Sequence, residues 1–290
     1  MKYLYRTDGS RISYTEFGLA NGLPFIYCHG FPASCLEAKL TDDAAKNIGA
    51  RIISLDRPGY GYSSFLPIND YFDWVNDVQL LIDTLHLKRF VVLGVSGGAP
   101  YAFAITQKFK DQVIRTGIVC GVGSLNAKES AEGMGRFARL SLGLARNRPA
   151  ITKIFYAQFI GRAMKYFPDL AIRILTENSP KADREVLGES NVYNIILKSV
   201  ERAFVQGGRA AAQDLMLLVK PWNISLKEIN TPVFLWHGEA DNTVPSHFTR
   251  HHAELLPDCL AKFYPDEGHF SLPVRYMTEI IDALMGTENQ

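Results

Sequence analysis

The sequence predicts an α/β fold: a mostly parallel sheet covered on both faces by helices, interrupted by a long helical insertion. Three observations predict it. Short, near-continuous apolar runs alternate with helix-period segments in two separate stretches, the pattern of strands buried on both faces. Between those stretches, from about residue 125 to residue 230, apolar residues keep helical spacing and no strand run appears. At the start, Asp8-Gly9 separates two strand-like runs and favours an antiparallel hairpin.

The elements follow in order. Tyr3–Tyr5 and Arg11–Phe17 form the hairpin, and Pro24–Cys28 reads as a buried strand followed by a helix over Cys35–Asn47. Arg51–Leu55 is the next strand. Tyr71–Leu87 is a helix, with Phe72, Val75, Val78, Leu81, Ile82 and Leu85 on one face. Phe90–Val95 is a strand, Ala99–Phe109 a helix and Ile114–Cys120 a strand. After the helical block the alternation resumes: strand Pro232–Trp236, helix Ser246–Leu256, strand Leu260–Tyr264, helix Pro273–Met285.

Composition sets the limits. The 290 residues are 47% hydrophobic and 21% charged with a net charge of +1, ordinary for a globular protein with a sizeable core. There is no basic stripe or reading motif, so nucleic acid is not an expected partner. No stretch reaches the ~18 uncharged apolar residues of a membrane helix, and membrane contact is not expected. Met1–Arg11 lacks the apolar core of a secretory leader. The four cysteines contain no C-x-x-C pair, and Cys28 and Cys120 read as buried free thiols. Together these point to a reduced, cytoplasmic setting. No metal-ligand cluster or cofactor motif is found, so neither metal nor cofactor is expected.

The chemistry centres on Gly94-Val95-Ser96-Gly97-Gly98, a G-x-S-x-G pattern between a strand and a helix. A serine on so tight a turn has strained backbone angles, and side chains at Gly94 or Gly98 would collide with it. The helix that follows offers unpaired N–H groups and a positive dipole end to a developing oxyanion. A serine hydroxyl needs a base, usually a histidine oriented by a carboxylate. Of the seven histidines, His269 follows the last strand, at the edge where a parallel sheet gathers its functional loops. His247, His251 and His252 fall on an amphipathic helix and read as surface residues; His86 closes a helix. In the loop after the penultimate strand Asp241 is the expected orienting acid, with Glu239 its rival. His29-Gly30-Phe31-Pro32 also follows a strand. The N–H of Phe31 is expected to pair with that of Gly97 as an oxyanion hole, the His29 imidazole and Gly30 shaping the loop.

His29–Pro32, Asp56–Ser63, Gly94–Gly98, His237–Pro245 and Gly268-His269, in this order, resemble the α/β-hydrolase fold superfamily. Within it the chain looks like the capped branch of esterases, epoxide hydrolases, haloalkane dehalogenases, proline iminopeptidases and cofactor-free perhydrolases. The resemblance covers residues 1–124 and 230–290. It implies an eight-stranded core over those residues and a helical cap, 125–229, inserted after the sixth strand. The order Ser96, Asp241, His269 matches the family's serine–acid–histidine order. Some relatives take the acid after the sixth strand, but Gly121–Leu125 has no carboxylate there. Asp56 and Arg57 are expected to form an ion pair with each other. Epoxide hydrolases and dehalogenases carry aspartate where this chain has Ser96, and iminopeptidases commonly carry tryptophan where it has Gly97.

The resulting expectation is a serine hydrolase of small or medium carboxylic esters acting through an acyl-enzyme on Ser96. One alternative is a peptidase releasing an N-terminal residue, for which Glu177, Asp183, Glu185 and Glu189 would hold the substrate ammonium. A catalytically silent small-molecule receptor is the other. Oligomeric state stays open. The helical block from residue 121 to 230 carries sixteen Lys/Arg against ten Asp/Glu. Between Arg136 and Arg173 eight basic residues face Asp169 alone, interleaved with apolar residues. The expected arrangement is a solvated basic face and an apolar face turned to the active site; the sharper reading is that the basic face favours an anionic substrate, or an acidic partner or membrane surface.

Overall fold

The computed structural model describes residues 1–125 and 131–286. Its eight strands are β1 (Lys2–Tyr5), β2 (Arg11–Gly18), β3 (Leu23–Cys28), β4 (Ala50–Leu55), β5 (Phe90–Val95), β6 (Val113–Val119), β7 (Val233–Gly238) and β8 (Cys259–Tyr264). They form one sheet in the order β1-β2-β4-β3-β5-β6-β7-β8. Only β2 runs against its neighbours; from β4 to β8 every pairing is parallel. Gly9, at φ 80°, closes the leading hairpin in a conformation that a side chain would strain.

Helices cover both faces. On one side α2 (Tyr71–Thr84), α3 (Ala99–Lys108) and α11 (His247–Leu255) pack Trp74, Val78, Leu81 and Phe103 against the sheet. On the other, α1 (Asp42–Ile48) and α13 (Met277–Met285) bring Ala45, Ile280, Ile281 and Leu284 onto Phe25, Ile52 and Val91. Full burial of every residue of β5 explains why this strand carries an unbroken apolar run.

Two helices differ from the sequence reading. The segment after Ser34 is a tight 3-10 run, Cys35–Thr41, before α1 begins. The last predicted helix is two: α12 (Ser271–Arg275) and α13, broken at Tyr276. His252, expected at the surface, is buried against Phe103 and Trp222, whereas His247 and His251 are exposed.

Strand order reverses beside β3. The chain passes from β3 to β4 on one side, then returns to lay β5 on the other. Such a switch point opens a crevice at the carboxyl ends of the two strands. Cys28 pairs with Gly94, so the His29 loop and the turn at Ser96 leave the sheet side by side.

Among the described residues, every regular element between β6 and β7 is a helix. The segment comprises α4 (Arg136–Asn147), α5 (Pro149–Phe155), α6 (Gly161–Tyr166), α7 (Pro168–Thr176), α8 (Lys181–Gly188), α9 (Ser190–Ala203) and α10 (Arg209–Leu218). Its own apolar cluster, with Tyr156, Ile172, Phe204 and Leu215, also takes in Tyr60 and Phe248 from the sheet portion.

Asp56 and Arg57 do not pair with each other. Asp56 Oδ2 accepts from Arg202 Nη2 at 2.6 Å, and Arg57 Nη2 donates to Asp214 Oδ2 at 2.7 Å. Both partners belong to the helical insertion, on α9 and α10. The two residues lie just past the end of β4, and their side chains reach different partners.

Candidate active site

Ser96 stands where β5 gives way to α3, with φ 54°, a left-handed conformation unusual for a residue with a side chain. Crowding holds it there. A Cβ on Gly98 would lie 2.0 Å from the Cys28 carbonyl oxygen, and one on Gly94 would lie 2.7 Å from Ala102 Cβ. The strain is imposed by packing on both sides of the turn.

Ser96 Oγ is 3.0 Å from His269 Nε2, and His269 Nδ1 is 2.7 Å from Asp241 Oδ2. Ser96 and His269 are each 8% exposed and Asp241 is 6%, so the chain of contacts is nearly dry. Asp241 Oδ1 accepts from the N–H groups of Thr243 and Val244, both at 2.8 Å, which fixes its second oxygen toward the imidazole. His237 braces the same loop through Thr249 Oγ1 at 2.6 Å and the Val244 carbonyl at 2.8 Å. Burial pushes the Asp241 carboxyl up, but the imidazoles of His269 and His237 outweigh it and hold the group well below the usual carboxylate range. For His269, burial pushes the imidazole down; Asp241 foremost, then Asp183 and Glu37, outweigh that and raise it above its ordinary value. Glu239, the rival acid, is exposed and paired with Arg250.

Gly97 and Phe31 lie against each other. A Cβ on Gly97 would stand 2.6 Å from Phe31 Cβ and 3.1 Å from the Phe31 backbone nitrogen. No hydrogen bond among the described residues takes up the Phe31 N–H. The peptide that carries it is gripped from behind: the Gly30 carbonyl accepts from Arg57 Nη2 at 2.9 Å and lies 3.0 Å from His29 Nδ1. Arg57 Nη1 also donates to the His29 carbonyl at 2.6 Å. With its carbonyl held on one side, the Gly30–Phe31 peptide directs its N–H to the other. The His29 imidazole thus lies against the carbonyl of its own loop.

Residues 24–276 match the family model of the alpha/beta hydrolase fold. The chain belongs to this family. Among its curated relatives, a bifunctional esterase/perhydrolase of Acinetobacter calcoaceticus is 24% identical over 278 residues, covering 93% of each chain. A non-heme chloroperoxidase of Streptomyces lividans is 26% identical over 275 residues, 91% of each. Of the solved structures, a hydrolase from Pseudomonas aeruginosa superposes with a TM-score of 0.73 at 17% identity over 98% of each chain. A thermophilic esterase from Thermogutta terrifontis gives 0.70 at 18% identity over 99% of this chain and 97% of that one. At such identities the structural likeness speaks for the fold alone; the protein is an enzyme of the α/β-hydrolase family.

Two acidic residues of this hydrolase have functional positions that sequence reasoning missed. Asp183, at the start of α8, is fully buried. Its Oδ2 accepts from the His269 N–H at 3.0 Å, and its Oδ1 from those of Phe270 and Ser271 at 2.9 and 2.8 Å. A Cβ on Gly268 would meet this carboxylate at 2.5 Å, which explains the glycine before the histidine. The insertion therefore holds the loop that carries the imidazole. The only sequence signal was the acid cluster around it, which carries no hint of its partner. The half-buried Glu37 accepts from the Gly30 N–H at 2.7 Å and the Tyr27 hydroxyl at 3.1 Å through Oε2. Its Oε1 lies 3.0 Å from where a Gly30 Cβ would stand, a point 3.5 Å from Ser96 Cβ. Burial raises the Glu37 carboxyl above its ordinary value.

Cys120, the last candidate near the site, sits at φ 48° just beyond β6. Its Sγ and the ligand atoms of Asp241 and His269 lie within 4.8 Å of one another. Burial pushes its thiol well up, and Asp241 and His269 are already spent on each other, so this donor set is poorly prepared for a cation.

Proposed function

We propose that this α/β hydrolase cleaves small or medium carboxylic esters through an acyl-enzyme on Ser96. The observation that carries the reading is the single imidazole bridging Ser96 Oγ at 3.0 Å and Asp241 Oδ2 at 2.7 Å. His269 Nε2 takes the serine proton as Oγ attacks the ester carbonyl, and returns it to the departing alkoxide. Asp241 keeps the Nδ1 proton in place and stabilises the imidazolium that forms. The N–H groups of Phe31 and Gly97 receive the negative charge of the tetrahedral intermediate. Water, deprotonated by the same imidazole, then releases the acid.

The relatives named for perhydrolysis and chloroperoxidation suggest a second acceptor. Hydrogen peroxide attacking the same acyl-enzyme gives a peracid and free Ser96, with no change of oxidation state at the enzyme. The peptidase reading is weakened by the insertion's acids. Asp183 is occupied by three backbone N–H groups, and Glu185 pairs with Arg275 and Lys181 at the surface. The crowding of Gly97 by Phe31 leaves no space for the tryptophan that iminopeptidases commonly carry there. A silent receptor would have no need of a strained serine aligned on a charged acid–imidazole pair.

We assign the helical insertion, about residues 125–229, the part of a cap over the site. The chemistry of the substrate follows from what faces Ser96. Seven of the eight basic side chains between residues 136 and 173 are exposed to solvent. The basic segment therefore does not act as an anion selector at the reacting centre. Replacement of Ser96 by alanine is expected to lower ester turnover by about 10³-fold or more with the thermal unfolding curve retained. Stoichiometric burst release of p-nitrophenol, and Ser96-dependent labelling by a fluorophosphonate, accompany the active enzyme. Unaltered turnover in the alanine variant refutes the assignment.

A further inference from the structure

We propose that the outer face of the helical insertion docks on an anionic lipid surface, with a headgroup's negative charge received in an open depression beside α6. The starting point is a set of helices that are apolar on both sides. In α4, Ser141, Leu142 and Ala145 are buried, yet Phe137 is 46% and Leu140 73% exposed. From Pro149 to Tyr166, α5 and α6 are joined by a widened helical turn, Tyr156–Ile160. This run buries Thr152, Tyr156 and Met164 but exposes Ile151, Ile154, Phe159 and Tyr166. In α7, Ile172 is buried while Leu170 and Ile174 face solvent. A helix on a water-covered surface needs one apolar face, and a second one calls for a cover. Ten of the sixteen large apolar side chains exposed among the described residues fall between 137 and 175, so these are a concentration and not ordinary scatter.

Charge identifies the cover. Eight basic residues against Asp169 give residues 136–173 a charge of 8 − 1 = +7. A second copy docked by the same face would set +7 against +7, whereas an anionic surface complements it. Long basic side chains interleaved with Phe, Ile and Leu are the composition of helices that lie at a lipid–water boundary. An open surface depression of about 270 Å³ lies on the same run, lined by Arg162, Lys165, Tyr166, Gln158 and Gln206. Gln158 holds the Arg162 guanidinium through its side-chain oxygen at 2.7 Å, and Lys165 lies 5.8 Å from the Tyr166 ring centre. Among the described residues neither cation has a carboxylate partner, so both are available to a phosphate-sized anion beside the apolar stripe.

The test is co-sedimentation of the full chain with vesicles of phosphatidylglycerol and phosphatidylcholine, against vesicles of phosphatidylcholine alone. Binding to the anionic vesicles, weakened by salt, and little or none to the neutral ones is expected. Arg162→Glu with Lys165→Glu, and separately Ile154→Ser with Phe159→Ser, should each weaken binding at least tenfold with circular dichroism and melting temperature unchanged. Absence of binding to the anionic vesicles at low salt overturns the proposal, as does equal binding by both double variants. A dimer in light scattering that dissociates in the serine variants assigns the face to a second copy. Equal binding to soluble polyglutamate assigns it to an acidic protein. Each of these last two results also overturns it. The readout is binding, so it stands apart from the assignment of ester hydrolysis.

Discussion

At the scale of single residues, Asp183 on α8 grips the loop that carries His269. Its two oxygens collect three backbone N–H groups, which sets the position of the peptide bearing the imidazole, and its charge supports the imidazolium. Asparagine at 183 would turn an amide NH₂ toward at least one of those donors. Asp183→Asn is expected to lower kcat by roughly 10- to 100-fold, the cost of one to two well-made hydrogen bonds. The pH profile separates positioning from mere folding. His269 must be neutral to accept the serine proton, and its carboxylate neighbours raise its pKa above the ordinary 6.5. Activity in the native enzyme should therefore fall as pH drops through a value above 6.5. Removing the Asp183 charge lowers that pKa, so the acid limb of kcat/KM should move to lower pH. A variant that loses stability with an unmoved limb contradicts the positioning role. The contacts of Ser96, His269 and Asp241 and the closeness of Phe31 to Gly97 were legible because each lies in a short motif shaped by a local constraint, a strained turn or a strand end. Asp183 and Glu37 were not, because their partners are backbone amides of distant loops and no spacing in the sequence records them.

At the scale of elements, the loop after β3 is held by a buried network whose far end lies on α10. Arg57 binds the carbonyls of His29 and Gly30, and Asp214 neutralises it while also accepting from Tyr101 at 2.7 Å and Tyr60 at 3.0 Å. Both Arg57 and Asp214 are almost completely buried. Removing one partner of such a pair leaves an uncompensated charge, so Asp214→Ala should cost about 3–5 kcal/mol in chemical denaturation. The same variant should lose activity beyond its loss of folded protein, because Arg57 would no longer be held against the two carbonyls. Retention of full specific activity would show that the Phe31 N–H is positioned without this network. The strand and helix elements themselves were largely readable from apolar period. The exceptions were places where tertiary contact overrides period: the tight turn after Ser34 and the break at Tyr276. The pairing of Asp56 and Arg57 was misread for a related reason. Adjacency in sequence suggests contact, whereas these two side chains reach apart, to α9 and α10.

At the scale of the whole molecule, a net charge of +1 conceals a division: the segment from 121 to 230 carries 16 − 10 = +6, and the remainder 1 − 6 = −5. Whole-chain composition therefore gave no warning of a basic, doubly apolar outer face. The division is of charge and not of stability. The insertion crosses to the sheet portion through Asp56–Arg202, Arg57–Asp214 and Asp183 on the His269 loop, all with little or no exposure. It also shares an apolar cluster that includes Tyr60 and Phe248. An insertion released from these contacts would strip the buried Asp56 and Arg57 of their partners and bare the shared apolar cluster to water. Insertion and sheet are accordingly expected to unfold as one cooperative unit. Heat-induced unfolding followed by far-ultraviolet circular dichroism, dominated by helices, and by tryptophan fluorescence should give coincident transitions. Trp74 and Trp236 are buried in the cores on either face of the sheet, so fluorescence reports largely on that layer. Asp214→Ala should shift both curves downward together. A helical transition that precedes the fluorescence change in the native protein would mean that the insertion melts alone, and the contacts named here would then be too weak to join it to the sheet.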